Sequence, residues 1–193
     1  MNAPKRLRVK LFVDNPEAVA VEKIVPVFQR WIQRGAIKNE LLIDVADYKH
    51  VHHGPGILLI AHEGDYAYQF NDGRVGLSYT LKQHDSATLE EALSTALQRV
   101  LFAAQLVHKE SQLKGLRIAL DTIQVSLLDR LQYPHDGETI EQAQAAITAL
   151  LASTADEVEV TAVEADSREP ISFTVKSAKS LEHLIAPAEV NAG

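Results

Sequence analysis

The sequence contains no cysteine among its 193 residues. This absence excludes disulfide bonds, thiolate metal sites, iron–sulfur ligation by cysteine and cysteine nucleophiles. It says little about the redox compartment, because a chain without cysteine is compatible with any of them. A hydrophobic core is expected to stabilise the chain without cross-links, since its length and its 46% apolar content are sufficient for one.

The sequence also lacks the common motifs for nucleotide binding and for nucleophilic catalysis. It has no Gly-x-x-x-x-Gly-Lys-Ser/Thr loop and no Gly-x-Gly-x-x-Gly fingerprint, which excludes the commonest phosphate-binding loops. A Gly-x-Ser-x-Gly motif is absent as well. No window approaches the roughly 18 apolar residues that a membrane-spanning helix requires. We therefore expect no membrane association and a cytoplasmic location.

The balance of charge disfavours nucleic acid as a partner. A formal net charge of −7 is unsuited to a broad phosphate-binding face. Residues 5–10 (Lys-Arg-Leu-Arg-Val-Lys) are the exception, with four positive charges in six residues. Because apolar residues alternate here with Arg8 and Lys10, the segment predicts a first strand with one solvated face. The alternative is a binding patch.

The remaining hydrophobic patterns predict further strands and three helices. Five successive apolar residues, Ile57 to Ala61, predict a strand buried on both faces in the middle of a sheet. Alternating runs on either side of Asp72-Gly73 predict a hairpin. Helices are predicted over residues 16–34, 88–109 and 138–151, and further strands over residues 41–48, 116–120, 123–128, 158–163 and 171–175.

These elements together predict an α+β fold. Its sheet is mixed or antiparallel, with about three helices packed mainly on one face. The order of elements contains βαββ-type units with an outline similar to that of ferredoxin-like folds. We expect a single domain over residues 1–185 and a flexible tail over residues 186–193.

Three histidines before the central strand are candidate metal ligands. His50, His52 and His53 carry imidazoles, which suit a divalent metal such as zinc. They cannot share one ion with the polar residues after the strand, because five strand residues span roughly 17 Å. We expect these to be ordinary loop histidines, with no cofactor. The alternative is a divalent metal held by these histidines.

Polar residues after the same strand are candidates for acid–base catalysis. His62, Glu63 and Asp65 follow one another closely, and a histidine beside a carboxylate can transfer protons. The alternative is that these residues mark only the point where a buried strand reaches water. No motif in the sequence decides between the two.

An aromatic stripe in the predicted hairpin is a candidate interface. Tyr66 and Tyr68 lie on one side of a strand, and Leu77 and Tyr79 can face the same way across the hairpin. Tyrosine suits surfaces that are partly apolar and partly wet, so the stripe can form a subunit contact. The alternative is that it packs beneath a helix.

Two hypotheses for function follow. The first is a soluble, non-enzymatic α+β protein that associates with itself, as a homodimer, or binds a protein partner. The second is a small-molecule hydrolase or isomerase in which His62 and Glu63 carry protons, with or without a metal. Composition and motifs leave open whether the protein is an enzyme.

Overall fold

The computed structural model describes residues 1–70, 73–152 and 157–181. This part of the chain forms eight strands and three α-helices. The strands are β1 (Leu7–Val13), β2 (Leu42–Asp47), β3 (Ile57–Ala61), β4 (Gly64–Gln69), β5 (Gly76–Leu81), β6 (Ile118–Leu127), β7 (Val158–Ala162) and β8 (Ile171–Ser177). The helices are α1 (Ile24–Arg34), α2 (Leu89–Lys109) and α3 (Gly137–Ala152).

All eight strands join one sheet in the order β2-β3-β4-β5-β1-β6-β8-β7, and every neighbouring pair is antiparallel. The predicted α+β class is therefore confirmed, with an antiparallel sheet. The ferredoxin-like outline is not confirmed, and the packing of the helices mainly on one face stays a prediction. The tail predicted over residues 186–193 lies outside the described residues, as do residues 182–185. No helix in the described ranges is long and apolar enough to span a bilayer.

The two faces of the sheet differ in chemistry. Residues directly opposite one another on antiparallel strands share a face, so each register row can be followed across the sheet. The row through Val9 is almost wholly apolar or aromatic: Val45, Leu59, Tyr66, Tyr79, Val9, Val125, Phe173 and Ala162. The next row becomes polar beyond β4: Ala46, Leu58, Ala67, Ser78, Lys10, Gln124, Thr174 and Thr161.

The apolar face belongs to one continuous core that extends from Leu7 to Leu181. The helices supply large side chains to this core, among them Phe28, Trp31, Leu97 and Ile147. Burial of a side chain of this size stabilises the fold by about 1.5–3 kcal/mol. The polar side chains of the sheet, among them Lys10, Gln124 and Thr174, lie on the opposite face.

The prediction for Ile57 to Ala61 is correct in its secondary structure but wrong in its position within the sheet. The segment is a strand, but β3 is the second strand from the edge of the sheet. Its burial alternates, with Leu58 and Ile60 only half-buried. These two side chains lie on the second face, where Leu58 stands between Ala46 and Ala67. An unbroken apolar run therefore reflects an apolar patch on that face rather than burial on both faces.

The first helix begins later than the sequence predicts. Two short 3₁₀ turns, Pro16–Ala18 and Val21–Lys23, precede α1. Asn15 does not cap a helix. Its side chain donates to the Gly115 carbonyl at 2.8 Å and accepts from the Arg117 amide at 2.7 Å. Pro26 thus falls in the first turn of α1, where its missing N–H breaks no helical hydrogen bond.

The predicted hairpin and the predicted starts of the second and third helices are confirmed. β4 and β5 pair antiparallel, although the turn residues 71–72 lie outside the described ranges. Thr88 Oγ1 accepts from the Glu91 amide at 3.3 Å and so caps α2. Asp136 Oδ1 accepts from the Thr139 amide at 2.8 Å at the start of α3. Short-range capping and turn signals therefore predicted these boundaries well.

A buried carboxylate joins the segment before β2 to the core. The Glu40 side chain is fully buried, and its Oε1 accepts from the Gly64 amide and the Tyr79 hydroxyl, each at 2.9 Å. Its Oε2 accepts from the Tyr66 hydroxyl at 2.9 Å, and Arg99 Nε lies 3.8 Å away. Groups from β4, β5 and α2 thus converge on one carboxylate.

The electrostatics of this cluster keep both phenols as donors. Burial raises the pKa of Glu40, and the hydrogen bonds from Tyr66 and Tyr79, together with Arg99, offset part of that shift. Burial also raises the pKa of each tyrosine, and the Glu40 charge raises it further. Both hydroxyls therefore stay protonated at neutral pH and can donate to the carboxylate.

Glu40→Ala is expected to lower the free energy of unfolding by roughly 3–5 kcal/mol, because three buried donors lose their acceptor. Glu40→Gln retains an acceptor oxygen and should cost less. Urea unfolding of the three proteins at pH 7 measures both effects. An alanine variant within 1 kcal/mol of the parent, on the scale of a single hydrogen bond, would contradict this role.

A pH dependence follows from the raised pKa of Glu40. The folded state holds the proton more tightly than the unfolded state, so Glu40 makes stability fall as the pH rises above its ordinary pKa of about 4.5. Glutamine does not titrate, so the Glu40→Gln variant lacks this loss of stability with rising pH. Relative to the parent protein, Glu40→Gln should therefore gain stability between pH 4.5 and pH 7. Unfolding curves measure the difference in stability between the variant and the parent. A difference that stays constant or changes in the opposite direction across this pH range would contradict the prediction.

Candidate functional site

A cleft of about 690 Å³ opens on the polar side of the sheet. Its floor is built from side chains of four strands: Arg8, Lys10 and Phe12 of β1, Gln69 of β4, Gln124 of β6, and Ser172 and Thr174 of β8. Three connections form its rim. They contribute His53, Gly54 and Pro55 after β2, Gly73 and Arg74 before β5, and Val163, Ala165, Glu169 and Pro170 before β8.

Three of the described residues that line this cleft carry cationic side chains. Arg8, Lys10 and Arg74 line it, and Glu169 is the one carboxylate among its described lining residues. The chain as a whole carries a formal charge of −7. Like charges gathered in a recess focus the field there and raise the local concentration of counter-ions. The arrangement is therefore suited to an anion.

Two of the cations meet at one aromatic ring. The Arg74 guanidinium lies 4.0 Å from the centre of the Phe12 ring, and Lys10 Nζ lies 6.0 Å from it. Both distances are within the range of cation–π attraction. The Phe12 ring thus holds the charged ends of two side chains, from β1 and from the turn before β5, close together.

Lys10 lies in a space that a glycine provides. Only 6% of Lys10 is exposed. A Cβ atom on Gly76 would lie 2.7 Å from Lys10 Cε and 2.9 Å from Lys10 Cγ, and it would also overlap the Leu11 carbonyl. The prediction that Lys10 belongs to a solvated strand face is therefore wrong, because its alkyl chain is packed across β5 at Gly76.

The other end of the floor carries hydroxyl and amide groups. Gln124 and Thr174 face each other directly across β6 and β8. The Ser172 hydroxyl is bonded to the Ser126 hydroxyl at 2.8 Å. Lys10 stands opposite Gln124 across β1 and β6, so the charged and the neutral polar groups are contiguous.

Most of this cleft was missed in the sequence. Only Arg8, Lys10 and His53 belonged to segments that the sequence marks as chemically capable. Gln124 and Thr174 come from distant parts of the chain and join the site only through the order of the strands. The alternation of apolar and basic residues in β1 was the one available signal.

The candidate metal ligands lie in the loop between β2 and β3 and are exposed. The rings of His52 and His53 are 4.2 Å apart, while His53 also lines the cleft. Within the described ranges, no group of three His, Asp or Glu side chains is arranged to hold a metal ion. A metal held by His50, His52 and His53 stays a prediction that no described ligand set supports.

The acid–base candidates do not form one site. His62 and Glu63 line a groove of about 470 Å³ together with His84, so these two residues do converge. The Glu63 carboxylate is bonded to Arg99 at 3.0 Å, however. Asp65 is bonded instead to Lys82 at 2.6 Å and does not line this groove. Each carboxylate forms an ion pair with a different cation.

The aromatic stripe lies inside the single chain. Tyr66, Tyr68, Leu77 and Tyr79 are each no more than 3% exposed and belong to the core. The Tyr66 and Tyr79 rings pack 4.7 Å apart beside Glu40. We therefore assign these four residues to the core rather than to an interface, because the face that carries them is already covered.

Comparison with other proteins supplies no function. A scan against protein-family models gives no match, and a search of curated proteins finds none with significant similarity. What the protein does must therefore be argued from the chemistry of the cleft.

Gly76→Ala is expected to lower the free energy of unfolding by about 1–3 kcal/mol, because the added methyl group overlaps the Leu11 carbonyl and the Lys10 side chain. Gly137→Ala is the matched control, since a Cβ atom there meets nothing within 4 Å. Urea unfolding compares the two variants with the parent. Equal stability of all three proteins would mean that this glycine does not hold Lys10 in place.

Proposed function

We propose that the protein is a non-enzymatic binding protein that holds an anionic partner in the cleft. The observation that carries this proposal is that three cationic side chains, Arg8, Lys10 and Arg74, line one cleft of an acidic chain. A cytoplasmic location, as predicted from the composition, is part of the proposal.

The chemistry of the three cations supports an anion with oxygen acceptors. Arginine presents a planar fork of donors that matches a carboxylate or phosphate, and lysine adds a compact point charge. Each hydrogen bond from a charged donor contributes about 1.5–3 kcal/mol.

The acid–base hypothesis is less well supported by the geometry. His62 and Glu63 share a groove, but the Glu63 carboxylate is held in an ion pair with Arg99. A hydrolase or isomerase that uses His62 therefore stays an alternative. It would be favoured if His62→Ala abolished a turnover that Arg74→Glu left intact.

The proposed function predicts that anions bind saturably in the cleft. Amide chemical shifts of ¹⁵N-labelled protein can be followed during separate titrations with sodium pyrophosphate, citrate and a hexaglutamate peptide at constant ionic strength. At least one of them should shift amides of residues 8–12, 73–76 and 172–174. Arg74→Glu should weaken that binding about tenfold or more, the effect of losing one charged contact.

Arg168→Glu is the control for this charge reversal. Arg168 lies in the connection before β8, is highly exposed and does not line the cleft. The same change of charge there should leave the affinity within about twofold, because exposed charges are screened. Binding of none of the three anions, or equal loss in both variants, would overturn the proposed function.

Self-association is a second candidate, and exposed apolar side chains along and beside the edge strand β2 favour it. Leu41, Ile43, Tyr48 and Val51 are between 38% and 68% exposed, and they lie at or beside the edge strand β2. The Asp44 carboxylate accepts from the Val45 amide at 2.7 Å. Because this hydrogen bond occupies a backbone donor of the edge strand, a contact between two copies would depend more on these apolar side chains than on backbone pairing between strands.

The second candidate predicts a dimer that depends on Ile43. Light scattering after size exclusion should show a mass that rises with concentration in the parent protein and a monomer in Ile43→Glu. Leu131→Glu is the control, because Leu131 is 98% exposed and distant in sequence from β2. A parent protein that stays monomeric at high concentration would exclude this candidate.

A further inference from the structure

The sheet ends in two different edge strands, β2 on one side and β7 on the other. An edge strand presents backbone N–H and C=O groups that can pair with a strand of another chain. The side chains of Leu41 and Ile43, beside and within β2, are 68% and 54% exposed, which adds an apolar attraction at that edge. Association through the sheet is therefore favoured unless the backbone groups of the edges are already occupied.

The register of β2 with β3 shows which backbone groups face the open edge. Opposite residues of antiparallel strands alternate between pairs that exchange backbone hydrogen bonds and pairs that do not. The Tyr48 amide donates to the Gly56 carbonyl at 2.9 Å. This pair continues the register in which Asp47 stands opposite Ile57. By alternation Val45 belongs to a pair without such bonds, so its N–H points away from β3.

A side chain occupies this outward-facing donor of β2. Asp44 Oδ1 accepts from the Val45 amide at 2.7 Å, and Asp44 is exposed. The register also shifts between Leu42 and Asp44, and irregularities of this kind bend an edge strand away from regular pairing. A strand added to β2 would have to displace the Asp44 carboxylate.

The opposite edge has a corresponding contact. The Val163 amide donates to the Ser172 carbonyl at 2.8 Å and continues the register of β7 with β8. Alternation along β7 then turns the backbone groups of Val160 away from β8. Gln144 Nε2, from α3, donates to the Val160 carbonyl at 2.8 Å. Because Val160 is the central residue of β7, this hydrogen bond interrupts the ladder that a further strand would need.

We infer that Asp44 and Gln144 close the two edges of the sheet against strand addition. One occupies a backbone donor of β2 and the other a backbone acceptor of β7. Pairing of β2 in one copy with β7 in the next would be heterologous, and such contacts can continue into filaments. The two side chains therefore keep copies of the chain from polymerising through their sheets. This role is independent of the anion-binding cleft.

The double variant Asp44→Ala/Gln144→Ala tests this role in the full chain. Light scattering after size exclusion, at rising protein concentration, should show assemblies larger than those of the parent, and electron microscopy should show filaments. The circular dichroism of the helices should be retained, because folded copies join through native edges. Assemblies that form only after this signal is lost would reflect unfolding and would overturn the inference.

Asp166→Ala/Gln142→Ala is the matched control. Asp166 Oδ1 accepts from the Arg168 amide at 2.8 Å in the connection before β8, and Gln142 Nε2 donates to Glu138 at 3.0 Å on α3. The control variant loses two side-chain hydrogen bonds, neither of which involves an edge strand, and should keep the mass of the parent. Growth of both double variants, or of neither, would overturn the inference.

Amide hydrogen exchange of the parent protein tests the closure of β2 without any substitution. The Val45 and Asp47 amides both face the open edge, and the Val45 amide has the Asp44 carboxylate as its acceptor. After correction for intrinsic rates, Val45 should exchange about fivefold or more slowly than Asp47, the effect of one hydrogen bond. Equal rates would overturn the assignment of Asp44, whether or not the variants fold.

Discussion

The buried carboxyl group of Glu40 is the constraint on which the rest of the structure depends. A carboxylate inside a core is tolerated only where donors surround it, and here the donors come from Gly64, Tyr66 and Tyr79. The two tyrosines are direct partners in the register of β4 and β5. Slippage by one residue would turn either hydroxyl to the opposite face. The carboxylate therefore fixes the register of this strand pair.

That register also determines what faces the cleft. Tyr79 pairs with Val9 across β5 and β1, so once the tyrosine faces Glu40, Val9 faces the core and Lys10 faces the other side. A fixed period of two then places Arg8 and Phe12 beside Lys10 on the floor. A polar contact inside the core thus specifies the positions of cations on the opposite face. The alternation of successive side chains between the two faces of the sheet therefore determines both the apolar core on one face and the polar cleft on the other.

Short-range sequence patterns predicted much of the fold but little of the candidate site. The cap at Thr88 and the hairpin around β4 and β5 depend on neighbours in sequence, and both were found. The late start of α1 was not, because Asn15 bonds to Gly115 and Arg117, about 100 residues away. Glu40 gave no sequence signal either, since an isolated glutamate before a strand resembles a surface residue. The strand order, which brings Gln124 and Thr174 beside Lys10, depends on long-range pairing that no local pattern encodes.

Lys10 shows why an acidic chain can still contain a basic recess. A lysine on a strand next to solvent would ordinarily extend into water, and its charge would be screened by the acidic surroundings. The absence of a side chain at Gly76 instead lets its alkyl stem lie across β5, and the ring of Phe12 lies near its ammonium group. A charge held in a recess interacts with a ligand more strongly than one that moves freely in water. The overall charge of −7 then favours solubility, while the arrangement of a few residues on one face determines what the protein can bind.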